Sequence, residues 1–441
     1  MKIIFILSTI LMAAASLVAA QEPAREAALK AKAAVMVECL TTGQYQKATE
    51  NFDIDMRTML PPDKLRTAWS GVRSQLGPFV EVKEYRFEKG RNLDVVHAIC
   101  RLEKDSIDIQ MAFDSSQRMS GLYFRPVAAQ GEDMKKPKDI AEQEVTVGSG
   151  AWALPGTLSL PKGSGPFPAV VLVHGSGPHD RDETVGPNKP FKELAWGLVE
   201  RGIAVLRYEK RTKAHAKECQ AMLADITMKE ETVDDALLAA DLLRKNSLIA
   251  PGSIYVLGHS QGGYLMPRIL GADSAIAGGI ILAGPSRPLE VLLIEQFEYI
   301  DSLAEHKDKE LSQLIETTKK QIDVLKSPGL SPSTSAKDLP LGVPAKYWLV
   351  LRGYQPAAEA AGLRQRLLVI QAGRDYQVTM ADYQGWQKAL EGKGNVAFKL
   401  YPNCNHLFIE GKGKATPEEY EKPGRMSKKV IEDIAKWVLE K

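Results

Sequence analysis

The sequence predicts a doubly wound, mostly parallel α/β sheet over residues 144–441, preceded by a smaller α+β unit over residues 22–127. Three observations carry this reading. From Glu144 onward, short Val/Ile/Leu-rich runs alternate with longer helical patterns, the order expected of strands joined by crossover helices. The central runs are apolar at successive positions, as parallel strands buried on both faces must be. Before them, two helical stretches come first and then four strand-like runs separated by short turns. A length of 441 residues agrees with more than one domain. With 44% hydrophobic and 25% charged residues and a formal net charge of +2, the composition is that of a core-forming protein. It carries no electrostatic bias toward nucleic acid or a membrane surface.

Residues 1–20 start with Lys2, continue as "IIFILSTILMAAASLVAA" and give way to polar "QEPAREAALK". A basic start, a short apolar stretch and small residues at Val18 and Ala20 are expected of an export signal cleaved before Gln21. Export to the periplasm or medium would place Cys39, Cys100, Cys219 and Cys404 where disulfides persist. Cys39 with Cys100 is the pairing within one unit, and four buried free thiols is the alternative. No CxxC occurs, and the scattered spacing gives no zinc site. No later segment is long and apolar enough to span a membrane.

Residues 24–50, rich in good helix formers, are expected to be one helix, and "PPDK" suits the start of a second. The runs "VEVKEYRFEK", "DVVHAICRLEK", "SIDIQMAFD" and "MSGLYFRPV" then read as antiparallel strands. Residues 128–143 have the composition of a linker. Strands are expected at 144–147, 156–161, 168–175, 202–209, 253–260, 278–284, 366–373 and 396–402, the first two antiparallel in type. Between the sixth and seventh lie about 80 residues, where such connections usually take about 2–6. That insertion, about 286–365, is helical in pattern, with Leu311, Leu314, Ile315, Ile322 and Leu325 on one face. At the carboxyl edge of the sheet it would cap the ligand crevice.

The chemistry starts at "GHSQGG", residues 258–263, directly past the strand-like "SIYVL". A serine on a strand-to-helix turn that tight needs glycine two residues to either side, because side chains there would clash. Serine also needs a base, and the base an orienting acid. Of seven histidines, only His406 lies beyond residue 306, and it follows the last strand. Asp375 follows the preceding strand, with Asp382 the runner-up on a helical pattern. The order Ser260, Asp375, His406 is that of α/β-hydrolase triads. The Gly-rich "HGSGPHDRDE" after strand 168–175 supplies an oxyanion donor: the Ser176 amide, with Gly177 its neighbour, beside the Gln261 amide. His174 and His259 read as packing or hydrogen-bonding residues, and "DRDE" (180–183) as a salt-bridged loop with a supporting role open to it. The basic run 207–217 reads as a solvated loop paired with Asp182 or Glu183, or as a lure for an anionic substrate. Tyr347, Trp348 and Tyr354 either line an acyl pocket or form the core of the cap.

Together, "HGSGPHDRDE", "GHSQGG", "GRDYQV" and "CNHLF" resemble the bacterial secreted esterases of the α/β-hydrolase superfamily, similar to serine aminopeptidase-like and dienelactone-hydrolase-like enzymes. The likeness spans residues 144–441. Residues 22–127 resemble a small domain of unknown function found ahead of such hydrolases, itself similar to the cone-shaped nuclear-transport-factor-like fold. The resemblance implies hydrolysis of small-molecule esters with small to medium acyl groups, and no cofactor. "HGSG" departs from the "HGGG" of many lipases, so the oxyanion donor stays open. Two rival readings stand beside it. A peptidase would use the same triad with an acidic pair in the cap, for which Glu290, Glu295, Glu298 and Asp301 are available. A binding protein on an inactivated hydrolase fold would lack part of the triad.

Overall fold

Helical and strand patterns place the chain's apolar residues on opposing surfaces that must be brought together, and the computed structural model shows how. It describes residues 24–90, 93–127, 134–303 and 309–440; the expected export signal, residues 1–20, lies outside them. The chain divides into two units, Met1–Ala128 and Ala129–Lys441.

In the first unit a helix covers residues 24–42, and further helices cover Ile54–Met59 and Pro62–Leu76. The single helix expected over 24–50 stops early because Gly43 turns left-handed at φ 76°. Proline at the first turn and Gly77 at φ 84° bound the Pro62–Leu76 helix. Strands β1 (Phe79–Glu88), β2 (Asp94–Leu102), β3 (Ser106–Phe113) and β4 (Met119–Pro126) form an antiparallel meander. Leu29, Met36, Leu65 and Trp69 of the helices pack on Val96, Ile107, Ile109 and Met111 of the sheet. Cys39 and Cys100 are both buried in this core as free thiols, and Cys219 and Cys404 are likewise buried and free.

The second unit is built on eight strands: β5 (Ala141–Val147), β6 (Leu154–Leu160), β7 (Phe167–Val173), β8 (Ala204–Tyr208), β9 (Ile249–His259), β10 (Gly278–Leu282), β11 (Arg366–Ala372) and β12 (Val396–Tyr401). Their order across the sheet is β12-β11-β10-β9-β7-β8-β6-β5. β5 and β6 join antiparallel and the other six run parallel. Along β7, Val170 and Leu172 face the helices Pro190–Val199 and Lys428–Leu439. Val171 and Val173 face the helices Asp234–Arg244 and Met380–Ala389. Two apolar faces on one strand account for the unbroken Val/Leu run.

The connection from β10 to β11 carries helices Leu289–Leu303, Lys309–Lys326, Ala345–Leu351 and Pro356–Ala361. On Lys309–Lys326 the inward ridge is Ile315, Thr318, Ile322 and Leu325, all buried. Leu314, expected on that face, is 45% exposed, since it falls to the side of this ridge. No helix among the described residues is long and apolar enough to cross a membrane.

Candidate active site

At the carboxyl end of β9 the chain turns directly into the helix Gln261–Tyr264, and the turn residue is Ser260. Its backbone sits at φ 51°, ψ −114°, a conformation that side chains rarely adopt. The strain is held by two backbone hydrogen bonds of 2.9 Å: Ser260 N–H donates to the Leu282 carbonyl, and Tyr264 N–H to the Ser260 carbonyl. The flanking glycines are required. A Cβ at 258 would stand 2.2 Å from the Gly262 carbonyl carbon, and one at 262 would stand 2.4 Å from the Val173 carbonyl oxygen. Both obstacles are backbone, so no rotamer change relieves them.

His406 lies in the loop after β12. The Asn405 side-chain oxygen accepts from the Leu407 and Ile409 amides, each at 3.1 Å, and folds the loop around itself. The Asn405 amide donates to Glu419 at 3.1 Å, and Arg374 pairs with the same carboxylate. So held, the His406 Nδ1 lies 2.6 Å from Asp375 Oδ2. Asp375 Oδ1 accepts from the amides of Gln377 (2.8 Å) and Val378 (3.0 Å). A carboxylate committed wholly as acceptor puts the imidazole proton on Nδ1 and leaves Nε2 free to act as a base. Asp382 is employed elsewhere: its carboxylate accepts from the Ser286 and Arg287 amides at 3.0 and 3.1 Å and pairs with the Arg287 guanidinium at 2.8 Å. It fixes the chain entering the β10–β11 insertion.

A second histidine lies beneath the first. The rings of His259 and His406 are 4.6 Å apart between centroids, and His259 Nε2 is 3.0 Å from the His406 carbonyl oxygen. Its Nδ1 lies 3.0 Å from Glu183 Oε2, while Glu183 Oε1 accepts from Gly175 N–H at 2.6 Å. Burial opposes charge on both groups, yet each holds the other's charged form. Burial is the largest influence on the His259 imidazole and lowers it, but Glu183, the His406 carbonyl and Asp375 together leave it raised above its ordinary 6.5. The Glu183 carboxyl, which burial alone would raise, is lowered to about 2 by His259 first and then by His174 and His179. His259 Nε2 is thus hydrogen-bonded to the His406 carbonyl, while its Nδ1 stands within ion-pair distance of Glu183 without a hydrogen bond. His174 is the opposite case: burial drives it down to about 3, so it is a neutral ring, Nε2 3.0 Å from the Asp180 carbonyl oxygen.

Ser176 and Gln261, the expected oxyanion pair, both line a cavity of about 300 Å³ with Ser260. Neither amide has an acceptor among the described residues. The remaining wall is mostly apolar, including Met228, Leu289, Leu292, Val343 and Trp348. Tyr347 also lines it, whereas Tyr354 does not: its hydroxyl donates to the Tyr264 carbonyl at 2.7 Å and its ring packs edge-on against Tyr264. Of the basic run 207–217, Arg207, Lys210 and Arg211 are paired, the first with Asp182 as expected, while Lys213 and Lys217 are exposed. Arg207 pairs with Asp182 and Glu142, Arg211 with Asp235, and Lys210 with Glu231 at 2.8 Å. Burial works to raise the Glu231 carboxyl, but Lys210 and the Tyr347 hydroxyl, 2.9 Å away, bring it below its ordinary value. Glu231 is the group that sequence reasoning did not bring to the site; Glu183 and Lys210 stood in stretches, 180–183 and 207–217, whose roles were left open. For Lys210 the available signal was position, since it lies just past the carboxyl end of β8. Among the described residues no group of three or more His, Cys, Asp or Glu side chains is arranged to hold a metal ion.

A strand-turn-helix serine after β9, an aspartate after β11 and a histidine after β12 of one parallel sheet define a class, and comparison with known proteins agrees. Residues 170–420 match the Alpha/beta hydrolase family, and the chain belongs to it. Residues 33–122 match a family described as a protein of unknown function, DUF3887. Over 412 residues the chain is 36% identical to Esterase EstD of Thermotoga maritima, covering 92% of this chain and 95% of that one. It is also 31% identical over 128 residues to Acylamino-acid-releasing enzyme 1 of Oryza sativa subsp. japonica, which is 29% of this chain and 15% of that protein. Among solved structures, Est1E from Butyrivibrio proteoclasticus is 15% identical with a TM-score of 0.42, over 68% of this chain and 99% of that one. The chain is thus an enzyme of the hydrolase family, related over nearly its whole length to an esterase.

Proposed function

We propose that the protein is an exported serine carboxylesterase that cleaves esters of small to medium acyl groups through an acyl-serine intermediate. The observation that carries this reading is the 2.6 Å contact of a fully acceptor-committed Asp375 with His406, whose ring lies 4.6 Å from that of His259, the residue before a strained Ser260 that lines an apolar cavity. The Ser260 hydroxyl adds to the ester carbonyl as His406 Nε2 takes its proton. The carbonyl oxygen becomes an oxyanion facing the Ser176 and Gln261 amides. Collapse breaks the bond to the alkoxy group, which leaves with the proton from His406. Water then repeats the sequence on the acyl-serine, restoring the hydroxyl and freeing the acid. Asp375 stabilises the imidazolium that forms twice in each cycle. Similarity to Esterase EstD supports ester bonds as the target.

The cavity argues against recognition of a free amine. Of the cap acids, Glu295 is paired with Arg287 at 2.6 Å and Glu298 with Lys319 at 2.9 Å. Among the described residues lining the cavity, Glu231 is the one carboxylate, and Lys210 neutralises it. A substrate ammonium would find no unpaired anion there. The test is a nitrophenyl-ester chain-length series run beside aminoacyl-anilides. The expected result is a kcat/KM for esters higher by about 10²-fold or more, since a desolvated ammonium without a partner loses several kcal/mol. Preference for anilides would overturn the reading in favour of a peptidase. Export rests on the pattern of residues 1–20, and N-terminal sequencing of the mature protein, with Gln21 expected first, tests it.

A further inference from the structure

Lys210 is one of the buried groups that the catalytic cycle leaves unused. It follows the carboxyl end of β8, its side chain is 3% exposed, and it is not among the residues lining the cavity. A lysine is seldom buried to that degree unless its ammonium protons find acceptors. Three acceptors surround it: the Gly175 carbonyl at 2.7 Å, Glu231 Oε1 at 2.8 Å and Gln261 Oε1 at 3.1 Å.

The identity of those acceptors is informative. The Gly175 carbonyl and the Ser176 N–H belong to one peptide unit, which is planar and trans, so the two groups point in opposite directions. Anchoring the carbonyl on Lys210 therefore sets the direction of the Ser176 N–H. Gly175 N–H is anchored in turn by Glu183 at 2.6 Å, so the residue is clamped at both ends. It is also pressed against the nucleophile, since a Cβ at 175 would lie 3.2 Å from the Cβ of Ser260. The other anchored residue, Gln261, is the one whose own N–H is the second oxyanion donor. Its side-chain amide donates to Tyr347 at 3.0 Å, and Tyr347 donates to Glu231. One ammonium thus ties both donor-bearing residues to each other and to a helix of the β10–β11 insertion.

We propose that Lys210 is a positioning residue of the oxyanion hole. It aims the Gly175–Ser176 peptide and Gln261 at the developing oxyanion, and its charge at the carbonyl end of that peptide polarises the Ser176 N–H into a stronger donor. Glu231 balances the charge, and Tyr347 completes the array from the insertion. This inference rests on the serine-hydrolase reading above.

The test uses two variants of the full chain. Lys210→Met leaves Glu231 as an unpaired buried carboxylate, so Lys210→Met/Glu231→Gln, which removes both charges, is made beside it. Each is assayed on a nitrophenyl ester and titrated with an alkylboronic acid, whose tetrahedral serine adduct directs an oxygen at the same donors. The expected result is a fall in kcat of about 10- to 100-fold, less than the loss of a whole donor, with KM within about 3-fold. Affinity for the boronic acid should weaken by a factor similar to that in kcat. A role confined to stability would lower the melting temperature without separating kcat from KM. The inference is overturned if a folded variant keeps kcat within about 3-fold of the parent, or loses kcat while binding the boronic acid as tightly as before. Ser260→Ala, assayed in parallel, separates the two claims: turnover that survives it sinks the serine-hydrolase reading itself, whereas Ser260-dependent turnover indifferent to Lys210 sinks only this inference.

Discussion

Replacing Asp375 by asparagine changes one atom and tests whether orientation of His406 governs the chemistry. The outcome follows from the hydrogen bonds already present. Asp375 Oδ1 accepts from two backbone amides at 2.8 and 3.0 Å, and those donors cannot be rearranged without unmaking the turn after β11. In asparagine the carbonyl oxygen must therefore stay in the Oδ1 place, because an NH₂ there would face two N–H groups. The NH₂ then occupies the Oδ2 place, 2.6 Å from His406 Nδ1 in the parent. A donor there requires Nδ1 to be an acceptor, so the imidazole proton moves to Nε2 and the base is lost. The same change in a serine-protease triad lowers kcat about 10⁴-fold, which is about 5 kcal/mol of barrier. Stability should barely move, since both amides keep their acceptor and the side-chain volume is unchanged. Steady-state hydrolysis of a nitrophenyl ester gives kcat, and thermal unfolding checks the fold, with a shift under about 5 °C expected. A folded variant with kcat within 10-fold of the parent would refute the assigned acid and the tautomer argument together.

Three further perturbations follow from the same geometry. Gly262→Ala places a methyl group 2.4 Å from the Val173 carbonyl oxygen and 3.0 Å from that of His174, so the turn or the oxyanion loop must move; kcat should fall about 10²-fold or more, and unchanged kinetics would contradict the packing. Leu292→Trp narrows the cavity, so kcat/KM for an octanoyl ester should drop about 10-fold or more while the acetyl ester is kept within about 3-fold; a uniform loss would place the acyl chain elsewhere. Glu183→Gln tests the buried pair with His259 through pH. Glu183 is held at about 2 against an ordinary 4.5, so its contribution is present above about pH 4.5 and is lost as pH falls toward 2. His259 is raised above 6.5, so its contribution is full below that pH and fades as pH rises through the folded value. Urea unfolding should show the variant less stable by about 3–5 kcal/mol at pH 5–6, with the gap to the parent closing at lower pH. A gap that stays constant from pH 6 to pH 3 would contradict the pairing.

The central sheet was legible because burial on both faces writes itself into composition: runs such as those of β7, β10 and β11 have no polar alternation, whereas the edge strands β5 and β12 are only partly buried. The elbow was legible for a related reason, since the clash distances at 258 and 262 leave no residue but glycine. What the sequence hid was pairing across distance. Arg207, Lys210 and Arg211 form a basic run on paper; Asp182 was a foreseen partner, but Glu231 and Asp235 come from the helical segments that follow. Read locally the run suggested a solvated, acid-paired loop or a lure for an anion; folded, its three innermost cations are each paired, and Lys213 and Lys217 are exposed. Tyr354 was left open for the same reason, because an aromatic in the insertion carries no mark of whether it faces the cavity or Tyr264. Glu183 was legible only in part. Its acidic neighbourhood promised ion pairs, but its link to Gly175 and His259 depends on β7 and β9 lying side by side.

The central claim is that one hydroxyl, at the end of β9, takes the covalent bond during turnover. Reaction of the protein with a fluorophosphonate followed by peptide mapping addresses it directly. The account predicts a single adduct on the peptide bearing Ser260, loss of all esterase activity in step with labelling, and no adduct on Ser260→Ala. Labelling of a different residue, or full activity remaining after Ser260 is modified, would contradict it.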